Sequence, residues 1–262
     1  MTTDTRLAAR LADEAGRLLL RIRAEHPADD PKALGKRGDA EANALLLDRL
    51  ARERPGDAVL SEESADDPVR LGASRVWIVD PLDGTREYGL GERDDWAVHV
   101  ALWEAGLGIT AAAVAQPSLP AVYASDDVST PPRREGRPRI VVSDTRPPDF
   151  ARPVAEVAGA ELVPMGSAGA KAMAVLRGEA DAYLHAGGQY EWDSAAPVGV
   201  VLAAGLHASR VDGSALRYNE RYPYLPDLLI CRPDLTEPLL AAIAAERSRD
   251  GHEPARADPD DR

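Results

Sequence analysis

Residues 77–85 read Trp77-Ile78-Val79-Asp80-Pro81-Leu82-Asp83-Gly84-Thr85. A β-rich run, Val76-Trp77-Ile78-Val79, ends in Asp80 and Asp83, with Pro81 and Leu82 between them. Two carboxylates three apart on a loop after a strand can converge on one hard cation, whose preferred ligands are oxygens. The Gly84-Thr85 turn beside them can aim backbone N–H groups at an anion. Together they describe a pocket for a divalent metal and a phosphate. Taken alone, the string also suits a surface turn, because Asp, Pro and Gly are ordinary turn formers.

The rest of the chain bears on that choice. At 262 residues it can bury a large core, as one large domain or two small ones. Lys plus Arg is 31 against Asp plus Glu at 44, a net charge of −13. Such a field repels polyanions, which argues against nucleic acid and anionic membranes as partners. A small phosphate ester remains compatible, since a metal ion and a local Arg or Lys reverse the field in one cleft. Cys231 is the only cysteine, so no disulfide framework and no Cys-based zinc site can form within the chain. It reads as a buried small hydrophobe. Asp4, Arg6, Arg10, Asp13 and Glu14 break up the N-terminus, which lacks the apolar core of a signal peptide. No apolar run approaches the ~18 residues of a membrane span, and a cytoplasmic location is expected.

Leu7, Leu11, Leu18, Leu19 and Ile22 predict an amphipathic helix over 5–25. Residues 27–38 read as a mobile loop, and a second helix is expected over 40–54. Strands follow near 58–60, 75–80, 96–103, 108–116 and 121–125. The Pro- and charge-rich segment 126–138 is the best candidate domain boundary. Beyond it, strands near 139–142, 161–163, 181–185 and 227–231 alternate with helices near 149–158, 168–178, 193–204 and 235–246, an α/β pattern. Residues 247–262 are expected to be disordered. The domains expected are 1–130, with most acidic stations, and 138–246, with Asp193.

Acidic residues stand at element ends: Asp39 before the second helix, Glu62 and Glu63 after a strand, Asp80 and Asp83 after another, and Asp193 opening a helix. Each has a plain alternative, a helix cap for Asp39 and Asp193 and a solvated pair for Glu62-Glu63; for Asp193 the cap is the better local reading. Several such groups in a chain without a Cys or His cluster fit oxygen coordination of Mg²⁺.

Three segments carry a family resemblance. Ser61-Glu62-Glu63-Ser64, the 77–85 stretch and Trp192-Asp193-Ser194-Ala195-Ala196 resemble, in order and spacing, the motifs of the Mg²⁺-dependent, lithium-sensitive inositol monophosphatase superfamily. The likeness spans about residues 5–246. It is strongest to the 3′(2′),5′-bisphosphate nucleotidase (CysQ-type) branch in its actinobacterial form, through Leu82-Asp83-Gly84-Thr85-Arg86-Glu87-Tyr88, Arg93-Asp94-Asp95-Trp96-Ala97-Val98-His99 and Gly166-Ser167-Ala168-Gly169-Ala170-Lys171. The resemblance implies a layered αβαβα sandwich, α+β or α/β in class, with two subdomains and the active site between them.

It also implies the following roles. Glu62, Asp80 and the Leu82 carbonyl hold one Mg²⁺; Asp80, Asp83 and Asp193 hold a second; a third, weaker ion uses Glu62. Gly84 and Thr85 give backbone donors to the ester phosphate. Asp39 and Thr85 position and deprotonate the attacking water, with Glu63 close by. Substrate contacts fall to Arg86, Gly166, Ser167, Lys171, Glu191 and Asp193, with Lys171 or Arg86 meeting a second phosphate; a solvated helix residue is the plain alternative for Lys171. The partner is a small phosphorylated nucleotide or sugar, and a homodimer is compatible.

The sequence departs from the superfamily in two places. Lys36 occupies the position, three before Asp39, where a Thr is usual, and Ala186 replaces a glutamate that contacts inositol hydroxyls, seven before Asp193. The second change counts against inositol phosphate. Expected is therefore a phosphatase removing the 3′-phosphate of adenosine 3′,5′-bisphosphate (PAP) or its sulfonated form (PAPS), with an inositol-1-phosphate or fructose-1,6-bisphosphate phosphatase as the alternative. Replacing Asp83 by Asn is expected to remove turnover and leave the fold nearly intact, since charge goes and volume stays.

Overall fold

The computed structural model describes residues 3–133 and 135–249. Helix α1, Asp4–Glu25, starts at Thr3, whose side chain accepts from the Arg6 amide, and buries Leu7, Leu11, Ala15, Leu19 and Ile22. Helix α2 is Pro31–Glu53. The expected loop at 27–38 is thus helical from residue 31 onward. Asp30 Oδ1 accepts from the Lys32 and Ala33 amides at 3.0 and 3.2 Å, and Pro31 takes the first helical turn, where its missing N–H costs nothing. The glycines that suggested a loop serve packing instead. A Cβ on Gly35 would stand 2.6 Å from Thr85 Cγ2, so only glycine lets α2 lie this close to the next segment.

Strands β1 (Ala58–Ser61), β2 (Arg75–Asp83), β3 (Ala97–Glu104), β4 (Gly108–Gln116) and β5 (Ala121–Ala124) form one sheet in that order, with β1 parallel to β2 and the others antiparallel. A short helix α3, Thr85–Gly89, follows β2. The second sheet holds β6 (Arg139–Ser143), β7 (Glu161–Met165), β8 (Ala182–Tyr190), β9 (His207–Ser209) and β10 (Tyr224–Cys231), in the order β7-β6-β8-β10-β9. Its helices are α4 (Ala151–Val157), α5 (Ala168–Leu176), α6 (Glu191–Ala203) and α7 (Thr236–Arg249). Residues 247–249 of the expected tail thus belong to α7; the remainder lies outside the described residues.

The period-two alternation of the strands sorts these parts into five layers. Trp77 and Val79 of β2 face α1 and α2, while Val76 and Ile78 face α5 and α6. Leu228 and Ile230 of β10 share that middle core, and Leu229 and Cys231 turn outward to α4 and α7. The order is helices, sheet, helices, sheet, helices: the expected αβαβα sandwich. Burying both faces of both sheets explains why the strands read as continuous apolar runs. Strands β6, β7 and β8 run parallel, so their C-terminal ends open toward one edge of the sandwich.

Candidate functional site

Asp80 and Asp83 are three apart, and a regular strand would send them to opposite faces. Strand β2 instead runs through both and carries a bulge. Asp80 pairs with His99 and Asp83 with Ala97, so three steps on β2 match two on β3. The extra residue, at Pro81-Leu82, re-aims the second carboxylate to the side of the first. Asp193 arrives from the other sheet as the third residue of α6, its Oδ2 accepting from the Tyr190 amide at 2.6 Å. It is therefore both a capping group and a site residue, and it stands inside the first turn, not before it. Asp80, Asp83 and Asp193 each present an oxygen, all within 4.8 Å of one another.

The three carboxylates differ in company. Asp83 is 6 % exposed. It accepts from the Ala168 and Gly169 amides at 3.1 and 2.6 Å and from the Ser167 hydroxyl. His99 Nε2 lies 3.3 Å away. Burial raises its pKa, but the His99 charge and these donors outweigh that and hold it at about 2. Asp80 is wholly buried, takes one bond from the Leu82 amide at 3.0 Å, and leaves Oδ2 without a partner. Burial, then Glu62 and Asp83, push its carboxyl well above the usual range. Burial and the Asp83 charge bring Asp193 to about 6.

Glu62 follows β1, and its amide donates to Val79 O at 3.4 Å, which sets it beside Asp80. Its side chain remains exposed at the rim. Partial enclosure and the Asp193 charge raise it to about 8. Glu63 is exposed next to it. Helix α2 supports this loop: Asn43 Oδ1 accepts from the Ser61 hydroxyl at 2.8 Å, and Asn43 Nδ2 donates to Ser64 Oγ at 3.2 Å. Asp39 sits one turn earlier on the same face. The sequence placed it ahead of a helix; it is inside one, because α2 starts at Pro31. It is 9 % exposed, and burial and the Glu63 charge raise it to about 7. Thr85 Oγ1 lies 3.1 Å from Asp39 Oδ1 and 3.2 Å from Leu82 O.

Gly84, at φ 89, turns the chain from β2 into α3 in a conformation that favours glycine. The first amides of α3 have no acceptor within the helix. Arg86 is engaged: Nη2 donates to Asp144 at 2.7 Å and Nε to Glu87 at 2.9 Å. Gly166 N donates to Asp95 Oδ2 at 2.6 Å. Lys171 is not a solvated helix residue. It is 4 % exposed, and its Nζ donates to the Gly166 and Ser167 carbonyls at 2.7 and 2.8 Å. Burial lowers its pKa. Glu191 is 1 % exposed and accepts from the Asn219 and Glu220 amides at 2.7 and 2.8 Å.

Sequence reasoning gave His99 no role of its own. It is fully buried, with Nδ1 3.0 Å from Trp192 O, and joins the two strands of the bulge to α6. Its signal was a lone His in an apolar strand facing the aspartate motif, which without the register reads as ordinary core.

The donor set around Asp80 is oxygen only, holds an unpartnered buried carboxylate oxygen and has three carboxyls raised by burial and then by one another's charge. Those features fit a hard divalent cation such as Mg²⁺. His99 is turned to Asp83 and offers no competing nitrogen at Asp80.

Comparison with known proteins agrees with this geometry. The chain belongs to the inositol monophosphatase family, whose signature matches residues 2–249. It is 58% identical over 253 residues to the 3′-phosphoadenosine 5′-phosphate phosphatase of Mycobacterium leprae, covering 92% of this chain and 93% of that one. It is 30% identical over 201 residues to the 3′(2′),5′-bisphosphate nucleotidase CysQ of Salmonella typhimurium, covering 71% and 80%. The fold matches inositol monophosphatase II of Staphylococcus aureus with a TM-score of 0.76, at 18% identity, over 94% of this chain and 97% of that one.

Proposed function

We propose that the chain is a Mg²⁺-dependent phosphatase that removes the 3′-phosphate of PAP, giving AMP and phosphate, and acts likewise on PAPS to give APS. Such an activity clears the nucleotide by-product of sulfate activation and belongs in the cytoplasm. Among the described residues no helix is long and apolar enough to cross a membrane.

The observation that carries the hydrolytic reading is Asp80. A wholly buried carboxylate with a free oxygen, beside Asp83, Asp193 and Glu62, is costly unless a cation offsets it. When bound, two such ions polarise the phosphoryl group, ease deprotonation of the attacking water and neutralise the leaving oxygen. Glu62, Asp80, Asp83, Asp193 and the Leu82 carbonyl would hold them. Thr85 can take a proton from a water at the phosphate while its own hydroxyl proton passes to Asp39. A pKa of about 7 suits Asp39 to that task near neutral pH. The water oxygen bonds to phosphorus, the ester P–O bond breaks, and the 3′ oxygen takes a proton from solvent. The Gly84 turn leaves the backbone of α3 open to the phosphate oxygens.

The substrate reading is supported by the mycobacterial and CysQ relatives and by Ala186. Ala186 offers no acceptor for polyol hydroxyls, as a glutamate there would. Phosphate release from PAP, inositol 1-phosphate and fructose 1,6-bisphosphate, side by side with Mg²⁺, tests this. PAP should show the highest kcat/KM, with activity lost in EDTA and reduced by Li⁺. A tenfold preference for inositol 1-phosphate would instead assign a sugar phosphatase.

A further inference from the structure

The acidic centre spans two sheets. Glu62 and Glu63 belong to the first, Asp193 to the helix entering from the second, and no covalent link short of the whole chain sets the gap between them. A buried polar chain links them, beside the packing of α6 on the first sheet and the His99–Trp192 contact. Arg70, in the 3₁₀ turn Pro68–Gly72 that follows the Glu62 loop, is 1 % exposed. Its guanidinium grips Asp66 on its own side, from Nε at 2.6 Å and Nη2 at 2.9 Å. On the other side Nη1 donates to Asn219 Oδ1 at 2.8 Å and Nη2 to Glu220 O at 3.0 Å. Asn219 Nδ2 returns a bond to Arg70 O at 3.2 Å. The amides of Asn219 and Glu220 then clasp the Glu191 carboxylate, two residues before Asp193.

Two features mark this chain as more than incidental packing. A fully buried arginine is retained where an apolar residue would avoid the cost of desolvating it. Asn219 is held at φ 62, a left-handed conformation that aims its side chain at Arg70 while its amide points to Glu191.

We propose that Arg70, Asn219 and Glu191 form a strap that fixes the distance between the Glu62 loop and Asp193, and that Arg70 and Asn219 are therefore positioning residues for divalent-cation binding. The strap rests on the metal reading above, and Arg70 and Asn219 are not among the proposed ligands of the cation or contacts of the substrate. Slackening it leaves every ligand in place but lets the two halves drift, so a cation must draw them together at the expense of its own affinity.

The test is Mn²⁺ binding followed by electron paramagnetic resonance, which requires no turnover. Asn219→Gly keeps the left-handed backbone and the amide to Glu191 while deleting the Arg70 acceptor. Arg70→Lys keeps the charge and loses the fork. Both should raise the Mn²⁺ Kd about tenfold relative to wild type, or about 1.4 kcal/mol. With saturating Mg²⁺ the kcat for PAP should return to within threefold of wild type. Arg75→Lys is the control: it loosens a comparable guanidinium cluster, with Asp4, Asp57 and Glu104, at the far end of β2. It should lower Tm and leave Mn²⁺ affinity unchanged. The strap is overturned if Asn219→Gly binds Mn²⁺ within twofold of wild type, or if Arg75→Lys weakens binding equally. A wild-type protein that binds no Mn²⁺ overturns the strap together with the metal reading. Normal Mn²⁺ binding without PAP hydrolysis removes only the substrate reading.

Discussion

Asp80 and Asp83 stand on one strand, both buried, and the protein treats them oppositely. Around Asp83 it supplies donors of its own: the Ser167 hydroxyl, the Ala168 and Gly169 amides at the start of α5, and His99. Around Asp80 it supplies the Leu82 amide and surrounds the remaining oxygen with other acids. Asp83 is thus a carboxylate already held in place by the scaffold, and Asp80 one whose second oxygen the protein leaves unpartnered among other acids. Burial alone does not decide the state of a carboxylate; the partners available within hydrogen-bond reach do.

The sharpest way to break that contrast is to neutralise each in turn. Asp80→Asn and Asp83→Asn should both cut PAP turnover about a thousandfold, roughly 4 kcal/mol of lost transition-state stabilisation. Their metal-free stabilities should diverge. Asp80→Asn relieves the crowding of a buried carboxyl against Glu62 and Asp83 and should melt above wild type at pH 8. Asp83→Asn strips the acceptor from a set of buried donors and should cost about 3 kcal/mol, read from urea denaturation. This differs from the sequence-based expectation of a nearly intact fold in Asp83→Asn, because volume is kept but one of the two oxygens that accept from Ser167, Ala168 and Gly169 is lost. Equal metal-free stabilities for the two variants would end the comparison.

The second test uses pH. Glu62 at about 8, Asp39 at about 7 and Asp193 at about 6 all lie above ordinary carboxyls. Between about pH 4 and 8 the native state therefore holds more protons than the unfolded chain, and stability declines as pH rises through those values. Asp83 acts in the opposite sense, but only as pH falls toward about 2. The Tm of metal-free protein should fall from pH 5 to pH 9, and Mg²⁺ should raise Tm more at pH 8.5 than at pH 5.5. A flat metal-free profile would contradict the crowding of charges at Asp80.

The smallest effect concerns the rim, where the chain lacks a carboxylate. Ala186→Glu adds an acceptor for polyol hydroxyls and should raise kcat/KM for inositol 1-phosphate relative to PAP severalfold, measured by competing the two substrates. An unchanged ratio would mean that position 186 does not read the substrate.

Much of this was legible in the sequence because the strands carry it. The apolar runs of β2, β3 and β4 predict buried strands, and the five layers were implied by the family resemblance. The acidic stations were legible as types and spacing. What escaped was decided by close approach. Gly35 was read as loop because its role, admitting Thr85, exists only once α2 is laid against α3. Lys171 was read as solvated or substrate-facing because the Gly166 and Ser167 carbonyls that hold it converge only in the turn. Arg70 and Asn219 are 149 positions apart, and no local pattern joins them.

The bulge at Pro81-Leu82 makes the centre depend on strand register as well as on composition. It is a single residue of slack in the β2–β3 ladder. Deleting Leu82 would leave the two aspartates two apart and on one side, whereas straightening the bulge while keeping the three-residue spacing would slip the register by one and return the second aspartate to the opposite side of the sheet. Every acidic residue of the chain would still be present, the strand would still be hydrogen-bonded, and the ligand set would be gone.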